Sequence, residues 1–535
     1  MRIGLDFDNT LIKYDHVFAE EAKRVKLVPK QWKGTKKQLR DTLRSIKDGE
    51  LIWQKIQGKV YGPKISQAEL FPGVAQFLIR CKQRREEIFI VSHKTEYAHF
   101  DQTKTLLREV ALNWMEMIGF FNKKMYGLKK NCVYFEKTRA EKLSRISSLG
   151  LDIFIDDLEE IFSNIDFPNI KKILFTEDFK LASNAIVFNN WTSISNSVLG
   201  PITPEDSMEL AQTILCENVK KVEKIQGGGN SRIYKIFTSS SKVYILKNYP
   251  DLIIDQRKRL ETEVQSCNLL EHLNLTPRVI SYDIDLNIAI FEWIEGKEVK
   301  KIKKEYIDQA LNLVKKIKGI DESVFDKPAS EACTSLDQLF SQIEFRLQKL
   351  KRIENINLQK FLNISFSPLY KNVKKWSTKI WPYRNLKDSL PKTKQTLSFS
   401  DFGFHNSILR NDGSLCFLDL EYFGWDDPVK LIADFIWHPA MTLSNYHKKI
   451  WLKESFKIFD EDKFIRERFH ASWPLYGLRW AMILLNLFNK DDWAKKIHVD
   501  ENNQFNRKKK MFDQIKKASA ICNHIKFHKM ACPYE

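Results

Sequence analysis

The sequence predicts an α/β unit followed by an α+β unit, and three observations carry that expectation. The chain has 535 residues, well past the roughly 250–300 at which a single hydrophobic core stops growing. Residues 1–198 hold three short apolar strands, each running into polar, chemistry-bearing residues, as in an open parallel sheet. After Gly200-Pro201-Ile202-Thr203-Pro204, which reads as a linker, the pattern changes to strands joined by a glycine-rich turn. An apolar fraction of 43% is ordinary for folded protein, which sets wholesale disorder aside.

Ile3-Gly4-Leu5 is a short strand that ends in Asp6-Phe7-Asp8-Asn9-Thr10. Asp6 and Asp8 stand two apart, which puts their side chains on one face of a strand. At a strand's C-terminal end in an open α/β sheet, that face looks into the ligand crevice. Two carboxylates there repel each other unless a cation or a shared proton compensates, and an oxygen-liganded magnesium ion is the natural compensator. One carboxylate is then free to attack phosphorus while the other serves as general acid and base. Residues 13–69 follow as a long insertion, rich in Lys, Gln and Trp at helical spacing. Leu70-Phe71-Pro72-Gly73-Val74 opens an amphipathic helix with Phe77 and Leu78 on its apolar face. A second strand, Ile88-Phe89-Ile90-Val91, ends in Ser92-His93-Lys94-Thr95. A third, Ile153-Phe154-Ile155, ends in Asp156-Asp157, and Lys142 lies in the helix before it.

In that order, Asp-x-Asp-x-Thr, strand-Ser, Lys and strand-Asp-Asp, residues 1–198 resemble the haloacid dehalogenase (HAD) superfamily of phosphatases. The resemblance implies a Rossmann-like domain whose insertion at 13–69 is a helical cap closing over the substrate. It implies Asp6 as the nucleophile that forms an aspartyl-phosphate, and Asp8 as the general acid/base. Ser92 would bind the phosphoryl group, and Lys142 would offset charge on it and on the nucleophile, with Lys137 competing for that place. Asp156, with Asp157, would hold Mg2+ together with Asp6 and the backbone carbonyl of Asp8.

The second unit opens with a hairpin: Val222 to Ile225, the turn Gln226-Gly227-Gly228-Gly229-Asn230-Ser231, then Ile233 to Ile236. Its glycines let backbone amides approach phosphates, but no Gly-Lys-Ser/Thr closes the turn, so it is not a P-loop. The next strand, Val243 to Leu246, carries Lys247 at its end, and the following amphipathic helix carries Glu263. A strand lysine paired with a helix glutamate is how kinase folds position ATP phosphates. Ala289-Ile290-Phe291-Glu292-Trp293-Ile294-Glu295-Gly296 reads as a strand running into a hinge, where backbone groups would hold adenine. Leu397 to Ser400 leads into Asp401, with Asn406 five residues on, and Cys416-Phe417-Leu418 ends in Asp419. That spacing supplies one base and two metal ligands.

The array resembles the aminoglycoside phosphotransferase/choline kinase family over about residues 220–440. It implies a bilobal protein-kinase-like fold, with residues 199–219 as linker and lead-in helix, 220–298 as the smaller lobe, and 299–535 as a helical lobe with a helical extension. ATP would be bound by Gly227, Gly228, Gly229, Lys247, Glu263 and Glu292. Asp401 would orient or deprotonate the acceptor hydroxyl, Asn406 and Asp419 would hold Mg2+, and Asp434 would brace the catalytic loop. The family's His-Gly before the catalytic Asp is Phe399-Ser400 here, which leaves a pseudokinase as an alternative. His405 reads as loop packing before catalysis. Trp376, Trp381, Tyr383, Trp425 and Trp437 are candidates for core or groove walls, and Leu336, Leu339, Phe340, Ile343, Leu347 and Leu350 for one buried helix face.

The net charge of +19, from 87 Lys+Arg against 68 Asp+Glu, points either to polyanionic partners or to lysine-rich solvated faces. No nucleic-acid motif accompanies it. The eight cysteines form no CxxC pair and fit reduced thiols. Cys522, His524, His528 and Cys532 cluster near the C-terminus, the last three at a spacing that shares a helical face, and would form a zinc site or merely sit on a basic terminal helix. No apolar run approaches the roughly 18–20 residues that span a bilayer; Leu478 to Phe488, broken by Arg479 and Asn486, is expected as buried helix. Met1 to Leu5 enters a strand directly, so a cytoplasmic protein without a signal peptide is expected. The expectation is a bifunctional enzyme needing Mg2+ and ATP. It would hydrolyse a small-molecule phosphate ester and phosphorylate a small-molecule hydroxyl, such as that of a sugar or amino alcohol, with membranes and nucleic acid set aside as partners. Nucleic-acid end processing is the alternative that the basic charge suggests, although the kinases of that class are P-loop enzymes.

Overall fold

The computed structural model describes residues 1–98, 104–177, 184–225, 231–250, 252, 255–489, 493 and 507–535. Gly227, Gly228 and Gly229 lie outside the described residues.

The N-terminal unit contains β1 (Arg2–Leu5), β2 (Ile12–Lys13), β3 (Glu69–Leu70), β4 (Glu87–His93), β5 (Val133–Glu136), β6 (Ile153–Asp156), β7 (Lys171–Phe175) and β8 (Ile186–Phe188). Six of these form a parallel sheet in the order β5-β4-β1-β6-β7-β8. The order reverses beside β1, so the crevice of a doubly wound sheet opens at the C-terminal end of β1, where Asp6 stands. Successive side chains alternate between faces. Ile88 and Ile90 of β4 and Ile153 and Ile155 of β6 therefore enter one core, and Phe89, Val91 and Phe154 enter another.

The insertion folds as α1 (Asp15–Arg24), α2 (Lys36–Arg44) and α3 (Gly49–Tyr61). A capping box at Thr35 starts α2. The buried carboxylate of Glu21 ties α1 to α3 and the segment after it, accepting from Arg24 at 2.6 Å and Lys64 at 2.6 Å and lying 3.5 Å from Lys59. One sheet face is covered by α4 (Val74–Gln83) and α5 (Leu107–Ile118), the other by α6 (Arg139–Ser148) and α7 (Glu159–Phe162). The unit closes with α8 (Trp191–Leu199).

The expected linker is clamped. Buried Arg80 of α4 donates to Ser195 Oγ at 2.6 Å and to the carbonyls of Gly200 at 2.7 Å and Pro201 at 3.1 Å. It also meets Asp206 at 3.1 Å, at the start of α9 (Pro204–Leu215). Thr203 caps that helix and Pro204 occupies its first turn, where a missing N–H costs nothing. Leu210 and Ala211 of α9 belong to the same apolar core as Tyr234, Ile236 and Leu246 of the second sheet, so this helix joins the two units.

That second sheet comprises β9 (Val219–Ile225), β10 (Arg232–Thr238), β11 (Val243–Asn248), β12 (Val279–Asp283) and β13 (Ile288–Glu292), antiparallel in the order β12-β13-β11-β10-β9. Ile288 and Ile290 of β13 face the shared core, while Ala289 and Phe291 face the core of the helical lobe, beside Leu260 and Val264 of α10 (Arg259–Leu270). Lys247 is paired with Ala289, so its side chain leaves the sheet on the helical-lobe side.

The helical lobe contains α11 (Lys304–Lys318), α12 (Leu336–Lys351), α13 (Ile356–Lys360), α14 (Ser367–Ile380), α15 (Pro428–Trp437), α16 (Asn445–Ile458), α17 (Ile465–Leu484) and α18 (Arg507–Phe527). The apolar ladder from Leu336 to Leu350 is the buried face of α12, as its spacing predicts. Two small antiparallel sheets shape the cleft: β14 (Gly296–Glu298), β16 (Ser407–Arg410) and β17 (Leu415–Phe417) in one, β15 (Thr396–Ser398) and β18 (Gly424–Asp426) in the other. The stretch around Leu478 is buried helix, and no described helix is long and apolar enough to cross a membrane. Because α18 ends at Phe527, neither His528 nor Cys532 lies on it with His524. Among the described residues, the groups able to hold a metal ion do not include that cluster.

Candidate active sites

The N-terminal site forms where β1 and β6 end side by side. Asp6, directly after β1, donates its backbone N–H to Ile155 at 2.9 Å. Lys142 of α6 reaches between the strands, its Nζ 2.6 Å from Asp6 Oδ1 and 2.6 Å from Asp156 Oδ2. Oxygens of Asp6, Asp156 and Asp157 lie within 4.8 Å of one another. Three carboxylates around one ammonium leave an excess of negative charge in a buried place. Their all-oxygen donor set suits a hard divalent cation such as Mg2+. Burial raises the Asp6 carboxyl to about 7, against the opposing pull of Lys142. Burial, then the charges of Asp156 and Asp6, push Asp157 well above the usual carboxylate range. Burial alone would lower the Lys142 ammonium, but Asp156 and Asp6 outweigh it and raise it. Lys137, the competing lysine, is exposed, and its carbonyl accepts from His93 at 3.0 Å.

Ser92 is buried near the end of β4, and the pairing of Leu5 with Ile90 sets it level with Phe7, between Asp6 and Asp8. Asp8 stands apart from the carboxylate trio. Its Oδ2 accepts from Lys94 Nζ at 2.6 Å and its Oδ1 from the Tyr14 hydroxyl at 2.5 Å. Lys36, at the start of α2, donates to Asn9 Oδ1 at 2.9 Å and to the Tyr61 hydroxyl at 2.6 Å. Thus Tyr14, Lys36 and Tyr61 of the insertion converge on the loop after β1. The sequence reading does not single out any of them, nor Lys94. For Lys94 a signal exists, two residues beyond Ser92 at the same strand end. The insertion residues have none, because only its tertiary packing brings them to the site.

The second site lies between the small sheet and the helical lobe. Lys247 Nζ is 2.7 Å from Glu263 Oε2, contacts Asp419, and is 3.4 Å from Glu421. The Tyr249 hydroxyl donates to Glu263 at 2.7 Å, and Arg259 pairs with Glu421. Oxygens of Glu263, Asp419 and Glu421 again lie within 4.8 Å of one another, a second acidic trio around a buried lysine that suits a divalent cation. Burial would lower the Lys247 ammonium, but Asp419, Glu263 and Glu421 hold it well above its ordinary value. Burial raises Asp419 to about 7, with Lys247 opposing. Asn406 donates its side-chain amide to the Asp401 carbonyl at 3.1 Å, and its own carbonyl accepts from Leu418 N at 2.8 Å, beside Asp419. Asp401, Asn406 and Asp419 are therefore assembled on one loop pair.

Residues 221–445 match the phosphotransferase enzyme family. The match begins after the N-terminal unit, and no curated protein matches the chain. Among solved structures, a spectinomycin phosphotransferase in complex with ADP and spectinomycin is 14% identical, covering 60% of this chain and 99% of its own at a TM-score of 0.41. A choline kinase from Streptococcus pneumoniae is 16% identical, covering 56% and 94% at 0.36. An ethanolamine kinase of Plasmodium vivax is 14% identical, covering 63% and 91% at 0.37.

Within the matched residues 221–445, the Phe399-Ser400 departure is accommodated by packing. Phe399 is buried against Phe402 and Phe423, with ring centroids 5.2 and 5.4 Å away. Ser400 takes a φ of +59°, where glycine avoids a Cβ penalty. Its hydroxyl offsets that strain, donating to the Ser330 carbonyl at 3.2 Å and accepting from Lys430 Nζ at 3.2 Å. Lys430 in turn lies 3.0 Å from Asp426 and 3.5 Å from Asp434, and Asp434 accepts from the Trp480 indole at 2.8 Å. Asp434 therefore reaches the loop through Lys430.

The Asp401 carboxylate meets two imidazoles: His405 Nε2 at 3.1 Å and His438 Nε2 at 2.9 Å, their rings stacked 3.9 Å apart. The Ala440 amide donates to His438 Nδ1 at 3.2 Å, so the His438 proton toward Asp401 is on Nε2. Burial pushes the Asp401 carboxyl up, but the hydrogen bonds from His405 and His438 prevail and hold it well below the usual range. His405 is thus more than loop packing, and His438, at the end of α15, has no sequence signal. The Glu292 side chain is taken by Arg278 at 3.0 Å, and its backbone N–H donates to the Arg278 carbonyl at 3.0 Å. A cleft of about 740 Å³ opens beside Asp401. Phe345, Tyr422 and Trp480 line it, not Trp376, Trp381, Tyr383, Trp425 or Trp437.

Proposed function

We propose that the chain joins a Mg2+-dependent phosphomonoester hydrolase of HAD type (residues 1–198) to an ATP-dependent kinase of small-molecule hydroxyls (residues 220–535). The observation that carries this reading is the repeated arrangement: each of two sites gathers three carboxylates around one buried lysine, with a further aspartate, Asp8 or Asp401, set apart from the trio. In the first site Asp6 attacks phosphorus, the P–O ester bond breaks, and Asp8 gives its proton to the leaving oxygen. Asp8 then takes a proton from the water that attacks the aspartyl-phosphate, which releases phosphate and restores Asp6. Ser92 orients the phosphoryl oxygens and Lys142 holds the Asp6 carboxylate. A divalent ion held by Asp6, Asp156 and Asp157 would neutralise charge on the phosphoryl group.

In the second site Asp401 orients the acceptor hydroxyl, whose oxygen bonds to the terminal phosphorus of ATP as the bridging P–O bond breaks and ADP leaves, and the hydroxyl proton passes to Asp401. Lys247, fixed by Glu263, holds the nucleotide phosphates. Asp419 and Asn406 would hold Mg2+, which offsets charge on the transferred group. The test measures phosphate release from a phosphate-ester panel and ATP consumption with sugars and amino alcohols. Asp6→Asn is expected to abolish only the first and Asp401→Asn only the second. Phosphate release that survives Asp6→Asn, or ATP consumption that survives Asp401→Asn, refutes the corresponding half.

A further inference from the structure

The cleft beside Asp401 has a charge that limits what acceptor it can take. Its lining includes four cationic side chains, Arg257, Arg346, Lys349 and Arg479, against two carboxylates, Glu331 and Asp401. Glu331 is already committed, 2.5 Å from Arg346 and 2.8 Å from Arg479. Asp401 is committed to the two imidazoles. A cationic acceptor would therefore find no free carboxylate. Of the four cations, Arg257 is paired with Asp255 at 2.6 Å, Arg346 and Arg479 share Glu331, with Asp434 3.4 Å from Arg479, and Lys349 is left for an oxyanion, with Arg346 beside it.

The donors are also well placed. Phe345, Arg346 and Lys349 share one wall on α12, Arg346 and Lys349 three residues apart and so one above the other on the helix surface. Arg346 is mostly buried and fixed by Gln342 at 3.1 Å and by Glu331, so its fork is held in one orientation. Lys349 lies over the Phe345 ring at 4.3 Å and makes no ion pair among the described residues. Guanidinium forks match the geometry of carboxylate and phosphate alike. A volume of about 740 Å³ leaves room for a sugar-sized molecule between this wall and Asp401.

We infer that the acceptor is an anionic hydroxyl compound, carrying a phosphate or carboxylate that Arg346 and Lys349 bind while its hydroxyl reaches Asp401. This rests on the phosphotransfer reading of Asp401. Calorimetry on the full chain in Mg-ADP, with glycerol 3-phosphate, glycerate, glycerol and choline as probes, tests it. Arg346→Gln/Lys349→Gln and the exposed single change Lys349→Gln identify the site. At least one anionic probe is expected to bind about tenfold or more tightly than glycerol or choline, with the double variant losing about tenfold and Lys349→Gln about threefold. Binding of glycerol 3-phosphate without glycerate names a phosphate ester; binding of both names oxyanions generally. Anion binding unchanged by the double variant, or choline or glycerol binding as tightly as the anions, overturns the inference. Failure of Mg-ADP to bind instead removes the phosphotransfer reading, and the acceptor assignment with it.

Discussion

Removing His438 tests whether the imidazole pair sets the reactivity of Asp401. In His438→Ala the carboxylate loses its 2.9 Å partner and keeps only His405, at 3.1 Å and without the stacked ring that limits its tilt. A hydrogen bond to a charged group contributes about 1.5–3 kcal/mol. If the bond orients Asp401 in the transition state and not in nucleotide binding, that loss lowers kcat about 10- to 150-fold and leaves KM for ATP unchanged. His438→Gln, which keeps a donor at similar reach, loses less. The assay is ADP formation with a saturating acceptor, repeated for His405→Ala and the double variant. Because both rings act on one carboxylate, their effects on ΔG‡ are expected to be non-additive. A kcat within twofold of the parent in His438→Ala, with the fold intact by circular dichroism, refutes the reasoning.

Three further outcomes are expected. Lys142→Met leaves Asp6 and Asp156 without their 2.6 Å partner, so phosphate release should fall at least about a hundredfold while ATP consumption is unchanged. Arg80→Met breaks the buried pair with Asp206 and frees the Gly200 and Pro201 carbonyls. Because Arg84 still holds Asp206 at 2.7 Å, the loss should be about 3 kcal/mol, the low end for a broken buried pair, read from the urea midpoint. Glu21 is lowered from its ordinary 4.5 to about 2, first by its hydrogen bond from Arg24 and against the effect of burial. A depressed folded value means its stabilisation is complete above 4.5 and is lost as pH falls toward 2. Glu21→Gln should therefore lower stability at neutral pH and flatten the acid limb of the stability curve between those values. An unchanged acid limb counts against the Glu21 clamp.

Much of both sites was legible because its signal is local. Asp6, Ser92 and Asp156 each follow an apolar strand, and a period of two together with the parallel order brings those strand ends to one crevice. Lys247 and Glu263 are legible for the same reason, a strand end followed by an amphipathic helix whose face returns to it. The choice between Lys142 and Lys137 was not local, since it depends on which turn of α6 lies over the sheet, and packing decided for Lys142.

What the chain order conceals are the contacts between elements that share no pattern. Tyr14 and Lys36 reach the first site through the packing of the insertion, donating to Asp8 and to Asn9. His438 reaches Asp401 from the far end of α15, with nothing in its surroundings to mark it. The helix expected as a lead-in, α9, also enters a core shared by both units, its Leu210 and Ala211 joining Tyr234, Ile236 and Leu246 there. Side-chain periodicity and strand-end chemistry act over a few residues and can be read in order. Charge balance in a cleft, such as the excess of arginine and lysine around Asp401, is a sum over residues that only the folded chain assembles.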